Sequence, residues 1–409
     1  MAQSKNPSGQ RDSEMEDITM NVQVKPNVTM SERHLPFECV ALVLQGGGAL
    51  GAYQAGVYEA LSEACIHPDW IAGVSIGAIN GAIIAGNPPN SRVDRLRAFW
   101  TQVTGDGSWP CLGDPRFRIA QGDTARNLVS QVSASFGLVG GARGFFTARP
   151  LTPWLQPAGT IEATSFYDTA DLKRTLERLV DFDLLNAGTT RFSAGAVNVR
   201  TGNFIYFDNT TRTIGPEHVM ASGALPPGFP AIEIEGEHYW DGGLVSNTPL
   251  QWMVDSRPRR DTLAFQVDLW SARGEFPRDM LDVMTREKEI RYSSHTRAGT
   301  DQFKHEQKLR CAVASLLKKL PQELRSSPEA KLLGNEADRK VYNLVHLIYC
   351  AKDYEGHCKD YEFSRISMEE HWRAGYHDAQ RTLRHPDVLE RPTNHEGVFT
   401  FDLAANGRE

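Results

Sequence analysis

The sequence lacks most of the features that announce a disulfide scaffold, a metal protein or a membrane protein. Six cysteines in 409 residues (Cys39, Cys65, Cys111, Cys311, Cys350 and Cys358) are widely scattered and form no CxxC pair. A disulfide framework and a zinc ribbon are therefore not spelled out, and the cysteines read as free thiols in a reducing compartment. No D-x-D-x-D-G calcium loop occurs, and no metal or cofactor is expected. The most apolar segment, Ile71 to Gly86, carries Ser75, Asn80 and four glycines, and falls short of the ~20 apolar residues that span a bilayer. The N-terminus holds Lys5, Arg11, Asp12, Glu14, Glu16 and Asp17 without an apolar run, so no leader is read and a cytoplasmic location is expected. A charge excess is missing as well. Lys and Arg total 44 against 51 Asp and Glu, a net −7, which offers no global attraction to nucleic acid or to anionic membranes. Arg257-Pro258-Arg259-Arg260 reads as a solvated loop.

What is present is ordinary globular composition, 40% hydrophobic and 23% charged, in a chain long enough to bury a full core. Residues 1–34 are polar and turn-rich, the pattern of a disordered arm. From Cys39 the pattern changes: an aliphatic run to Leu44, three glycines, then helical spacing over Ala52 to Leu61. Trp70 to Val74 reads as a second buried strand, Ser75 as a turn, and Gly77 to Ala85 as a helix. Strand, loop and helix twice over argue for an α/β sheet covered on both faces. Further strands are predicted at Phe192–Val199, Phe204–Phe207, His238–Trp240 and Thr262–Leu269, with helices near Asp171–Val180 and Glu217–Ser222. This places one α/β domain at about 35–270. Within it, residues 105–157 are rich in Gly, Pro, Trp and Phe and read either as a lid or binding loop or as a plain surface excursion. Residues 271–409 read as a mostly helical extension, packed on the core, with one strand at Val341–Tyr349. Its last helix has Ser367 and Glu370 at capping-box spacing. Met368, Trp372, Tyr376, Ala379 and Leu383 form a stripe on one face of it, and Pro386 follows.

Three short patterns bear chemistry. Gly46-Gly47-Gly48-Ala49-Leu50-Gly51 follows a strand and precedes a helix, so its backbone N–H groups and the helix start favour an anion or a developing oxyanion. Gly73-Val74-Ser75-Ile76-Gly77 fits G-x-S-x-G at a strand-to-helix junction, where a sharp turn exposes the serine hydroxyl and leaves its neighbours no room for a Cβ. Asp241-Gly242-Gly243 ends a short strand and by itself is only a turn. A serine hydroxyl needs a base to take its proton, and an ester carbonyl needs donors for its oxyanion. Downstream histidines that could complete a triad (His295, His305, His346, His357, His371, His377, His385 and His395) lie mostly in charged, helix-like surroundings, and none sits in a glycine-rich loop after a strand.

Taken together, in this order, the three patterns resemble the patatin-like phospholipase family over roughly residues 40–255. The stretch Ala221-Ser222-Gly223-Ala224-Leu225-Pro226-Pro227-Gly228-Phe229-Pro230 is similar to the family's segment before its aspartate. The resemblance implies a three-layer α/β/α domain with a mainly parallel central sheet. It also implies a Ser-Asp dyad in which Ser75 is the nucleophile and Asp241 the proton acceptor. Gly46, Gly47 and Gly48 form the oxyanion hole, and Gly51, Gly73, Gly77, Gly242 and Gly243 support the motifs. The implied substrates are acyl lipids or other esters, with peripheral contact with a membrane as an expectation. One departure is Leu50, where the family often has Arg or Lys. The tail, around Tyr361-Glu362-Phe363-Ser364-Arg365 and His371-Trp372-Arg373-Ala374-Gly375-Tyr376, resembles a bacterial subgroup of the family.

Two other readings stay open at this point. A non-catalytic interaction protein would keep the fold without turnover. A dinucleotide-binding oxidoreductase would use Gly46 to Gly51 as G-x-G-x-x-G, with Glu63 or Asp69 as its acidic ribose partner.

Overall fold

A computed structural model describes residues 34–105, 134, 137, 139–293, 296–352, 355–394 and 396–402. Residues 1–33 of the expected disordered arm and residues 106–133, 135, 136 and 138 of the expected lid segment lie outside the described residues. Nine strands form the central sheet. They are β1 (Cys39–Leu44), β2 (Trp70–Val74), β5 (Arg191–Asn198), β6 (Phe204–Asp208), β7 (Ile232–Ile234), β8 (Glu237–Asp241), β9 (Thr262–Asp268), β10 (Tyr342–Ile348) and β11 (Val398–Phe401). A separate two-stranded ribbon joins β3 (Thr147–Ala148) to β4 (Tyr167–Asp168). The order β11-β10-β9-β1-β2-β5 is parallel throughout, and the strands beyond β5 run antiparallel. Parallel strands are covered on both faces and read as continuous apolar runs. The central strands CVALVL and WIAGV are accordingly buried at every residue.

Alternation along β1 divides the core. Val40, Leu42 and Leu44 belong to one buried cluster, while Cys39, Ala41 and Val43 belong to another, as strand geometry requires when successive side chains point to opposite faces. The first cluster takes in helices α1 (Ala52–Glu63), α2 (Ile76–Ala85) and α3 (Arg92–Val103), together with the helix Arg365–Leu383. The second takes in Leu250, Met253 and Val254 from the helix Leu250–Asp255 and Phe303 from the helix Thr296–Lys319. The result is three layers, helix on sheet on helix.

The region after residue 270 is mainly helical, but it also completes the sheet. β10 pairs with β9 over seven residues and β11 then pairs with β10. The four-residue β11 was too short to stand out in the sequence. The helix Arg365–Leu383 docks on α1 at very close range, because Gly56 faces the Trp372 carbonyl and Gly375 faces the Tyr53 carbonyl, each leaving no room for a Cβ. Met368, Trp372 and Ala379 of the expected stripe are buried there. Its start differs from the expectation. Ser364, not Ser367, is the cap, accepting the Ser367 N–H at 3.2 Å, and the Glu362 carboxylate holds the Ser364 N–H at 3.0 Å. A serine three residues upstream satisfied the same helix-end donors, so helix formation extended to meet it.

Candidate active site

The site is built where strands end. β2 delivers Ser75 into a turn with φ 56° and ψ −125°, outside ordinary serine conformations, and α2 begins at the next residue. Every residue from Trp70 to Asn87 is buried except Ser75. The strain is held by tight packing: a Cβ on Gly73 would fall on Gly77, and one on Gly77 would fall on the Leu44 carbonyl of β1. The Ser75 N–H donates to the Ser222 side chain at 3.0 Å, and that hydroxyl in turn donates to the Gly195 carbonyl at 2.6 Å.

The pairing along β5 explains how Asp241 reaches Ser75. Gly195 is paired with Val74 of β2 on one edge and Tyr206 of β6 on the other. Ala196, one residue on, is paired with Asp241 of β8 and Ile205 of β6. β2 and β8 therefore abut end to end along the same edge of β5, running towards each other, and their last residues meet. Sequence distance between the serine and the aspartate is erased by a strand junction.

Asp241 is almost wholly buried, at 2% exposure. Burial raises its carboxyl pKa to about 7, against smaller opposing effects from the facing Ser75 side chain and the Gly243 N–H, which donates to Oδ1 at 2.7 Å. Desolvation penalises the charged form, and few donors are there to compensate it. A second carboxyl, Asp268 at the end of β9, is likewise fully buried and raised to about 7, with Gln266, Thr248 and Thr296 as its polar neighbours. None of the downstream histidines among the described residues hydrogen-bonds Ser75 or Asp241. His346 is buried in β10 beside Thr300, with its pKa lowered to about 4 by desolvation, and His371 is buried against Glu355. His295 and His395 lie outside the described residues.

The glycine loop follows β1. Gly48 has φ +56°, and a Cβ there would fall on the Asp360 carbonyl. Ala49 and Leu50 are buried, while Gly47 and Gly48 are half-buried. The Gly46 N–H, expected among the oxyanion donors, is instead taken by the Asn247 carbonyl at 3.3 Å, while that of Ala49 goes to Asp360 and that of Leu50 to Gly47. Among the described residues, the N–H groups of Gly47 and Gly48 have no protein acceptor. Leu50 is fully buried. A Cβ on Gly46 would stand 3.0 Å from the Ser75 Cβ, which puts the loop against Ser75. Gly51 packs on Ile76, and Gly242 on the Gly195 carbonyl.

A model of the family described as patatin-like phospholipase matches residues 42–253, just over half of the chain. The chain belongs to the patatin-like phospholipase family. A second model, described as patatin phospholipase, matches residues 290–395, so the family resemblance extends into β10 and the helices around it. A putative patatin-like phospholipase domain-containing protein, M110.7 of Caenorhabditis elegans, is 36% identical over 89 residues, 20% of this chain and 8% of that protein. Lysophospholipase nte1 of Aspergillus terreus is 57% identical over 53 residues, 13% of this chain and 4% of that protein. Patatin-like phospholipase domain-containing protein 7 of Rattus norvegicus is 47% identical over 66 residues, 16% and 5% of the two chains. The matches thus cover less than a tenth of these relatives' length. The solved structure of VipD from Legionella pneumophila aligns over 90% of this chain and 72% of its own, with TM-score 0.39 and 15% identity.

Within this patatin-like domain the sequence singled out Ser75, Asp241 and the three glycine motifs, and the fold brings them to one place. It did not single out Asn247, Trp270 or Asp360, which hold the glycine loop. Asp360 contributes only a main-chain carbonyl, for which no residue type can serve as a signal. Trp270 stands just past the carboxyl end of β9, the same end of the sheet as Ser75, and that position was the one available cue. The dinucleotide reading loses its acidic partner. The Asp69 carboxylate accepts the Val40 N–H at 2.7 Å near the start of β1 and β2, and Glu63 accepts the Tyr376 hydroxyl. The Arg257–Arg260 cluster is largely paired, with Arg257 and Arg259 both on Glu336.

Proposed function

We propose that this chain is a serine acyl-ester hydrolase acting on lipids, working through a Ser75–Asp241 dyad. The observation that carries the reading is the meeting of β2 and β8. It sets the one accessible residue of a buried strand-helix unit against a buried carboxyl whose pKa of about 7 suits a general base near neutral pH. In the first half-reaction Asp241 takes the Ser75 proton as Oγ attacks the acyl carbonyl. The negative charge on the carbonyl oxygen is received by the Gly47 and Gly48 N–H groups, fixed in advance and short of protein acceptors. Asp241 then returns the proton to the departing alcohol, leaving the acyl group on Ser75. In the second half Asp241 takes a proton from water as the water oxygen adds to the acyl carbonyl; collapse then breaks the bond to Ser75 Oγ, Asp241 returns the proton to that oxygen, and the acid leaves. No cofactor is needed to balance either half.

Lipid as the acyl donor is supported by family membership and by exposed apolar residues near the site. Leu244 and Val245 directly follow the Asp241 turn and are 45% and 59% exposed. Peripheral contact with a lipid surface is part of the proposal. Phe145 and Phe146, by contrast, are buried in an aromatic cluster with Tyr167, Phe229 and Phe363 at ring distances of 5.0–6.0 Å. They are packing rather than an open acyl wall.

The test uses p-nitrophenyl esters, phospholipid vesicles and a fluorophosphonate label on wild type, Ser75→Ala and Asp241→Asn. Wild type is expected to label and turn over. Ser75→Ala should do neither, and Asp241→Asn should lose roughly 10²- to 10⁴-fold in kcat, the range that a positioned general base contributes. A folded wild type that neither labels nor hydrolyses any of these esters sinks the reading and leaves a non-catalytic scaffold.

A further inference from the structure

The peptide unit joining Gly46 to Gly47 is held in an unusual way. Its N–H, on Gly47, is one of the two unclaimed donors of the glycine loop. Its carbonyl, on Gly46, accepts two side-chain donors at once, Asn247 Nδ2 at 3.0 Å and Trp270 Nε1 at 3.0 Å. Asn247 grips the same residue from its main chain too, accepting the Gly46 N–H at 3.3 Å. Trp270 is fixed in turn by Gln45, the residue before the loop, whose Oε1 takes the N–H groups of Leu269 and Trp270 at 2.7 and 2.9 Å. The loop itself, Gly46 to Gly51, carries no charged side chain.

We infer that Asn247 and Trp270 are positioning residues that polarise the Gly46–Gly47 peptide and so strengthen the Gly47 N–H as an oxyanion donor. Two donors on a peptide oxygen draw electron density toward it, and the N–H on the far side of the same amide becomes a stronger donor; bonds in such chains reinforce one another by roughly 10–30%. The indole is primed for the part. Lys359 and Lys288 place ammonium groups 5.3 and 5.8 Å from its ring centroid, and a cation against the π-face withdraws density from the N–H. Both lysines are held by carboxylates, Lys359 by Glu289 and Lys288 by Asp360, and Asp360 is also the residue whose carbonyl fastens Ala49 at 2.7 Å. The segment after β9 thereby acts on the reaction without touching the substrate.

The inference rests on the dyad reading, and its test separates the two. Trp270→Phe keeps the ring and deletes the N–H, and it is compared with wild type on an oxo ester and on the matching thionoester, whose sulfur is a weak hydrogen-bond acceptor. A fractional loss of one oxyanion donor corresponds to a fall in kcat of about 2- to 8-fold on the oxo ester with KM unchanged. The thionoester rate should move much less, so the oxo-to-thiono rate ratio should shrink by nearly the same factor. Trp270→His provides a second variant, with a ring N–H that can restore part of the ratio. A ratio equal to wild type in folded Trp270→Phe overturns the inference while leaving the dyad in place. An equal loss on both esters means the tryptophan only packs, and overturns it as well. Absence of label on Ser75 in wild type overturns the dyad reading and the inference together.

Discussion

The pH dependence of turnover offers a sharp trial of Asp241, because burial moves its pKa from 3.8 to about 7. In the proposed dyad Asp241 must be ionised to take the serine proton, so the active fraction of free enzyme follows that single ionisation. About a tenth of the molecules are competent at pH 6 and about nine-tenths at pH 8, a rise in kcat/KM of roughly tenfold, with unit slope below and a plateau above. A carboxyl at its ordinary value would instead give a flat profile over the whole range. The assay is hydrolysis of a soluble p-nitrophenyl ester followed at the isosbestic wavelength of the product, or by pH-stat. Asp241→Asn should give a low, flat profile over the same range. A wild-type profile that is flat from about pH 5.5 to 8 refutes the argument that desolvation outweighs the Ser75 and Gly243 contacts. So does a tenfold rise that survives in Asp241→Asn.

Stability gives two further trials. Gly77→Ala sets a methyl against the Leu44 carbonyl of β1 and should lower the urea midpoint by an amount worth about 1–3 kcal/mol, with activity lost alongside; a variant of wild-type stability means the turn has slack that the packing denies. Asp268 holds its proton more tightly when folded, with a pKa of about 7 against 3.8. Its contribution is therefore greatest in acid, is lost as pH rises between those values, and is fully spent above about 7. From pH 5 to pH 8 this one group should cost about 2–3 kcal/mol, a decline that Asp268→Asn escapes. If urea melts of wild type and Asp268→Asn keep a constant gap between those two pH values, the buried carboxyl is not titrating as described.

Much of the fold was legible because it obeys local rules. β1 and β2 are continuous apolar runs bounded by glycines, and parallel strands buried on both faces have to look like that. α1 and α2 follow directly, and the G-x-S-x-G serine could be placed on its turn before any coordinates, because the strained junction needs glycines where Gly73 and Gly77 stand. Elements with weaker local signatures were harder. β11 has only four residues, β7 three, and the start of the helix Arg365–Leu383 depended on which of two serines, Ser364 or Ser367, had its carboxylate neighbour in the right place.

Short local patterns carry the components of the candidate site: a serine at a tight turn, a glycine loop with backbone donors, and an aspartate ahead of two glycines. These are properties of short segments and survive without knowledge of the rest. Long-range packing places β2 and β8 on one edge of β5, so that residues 75 and 241 meet. It alone decided that Asp241 is dry enough to titrate near 7, and that Asn247, Trp270 and the Asp360 carbonyl close around the glycine loop. The reason is physical. Propensity and periodicity are read over a few residues, whereas desolvation and strand adjacency depend on which distant segments exclude water from the same volume.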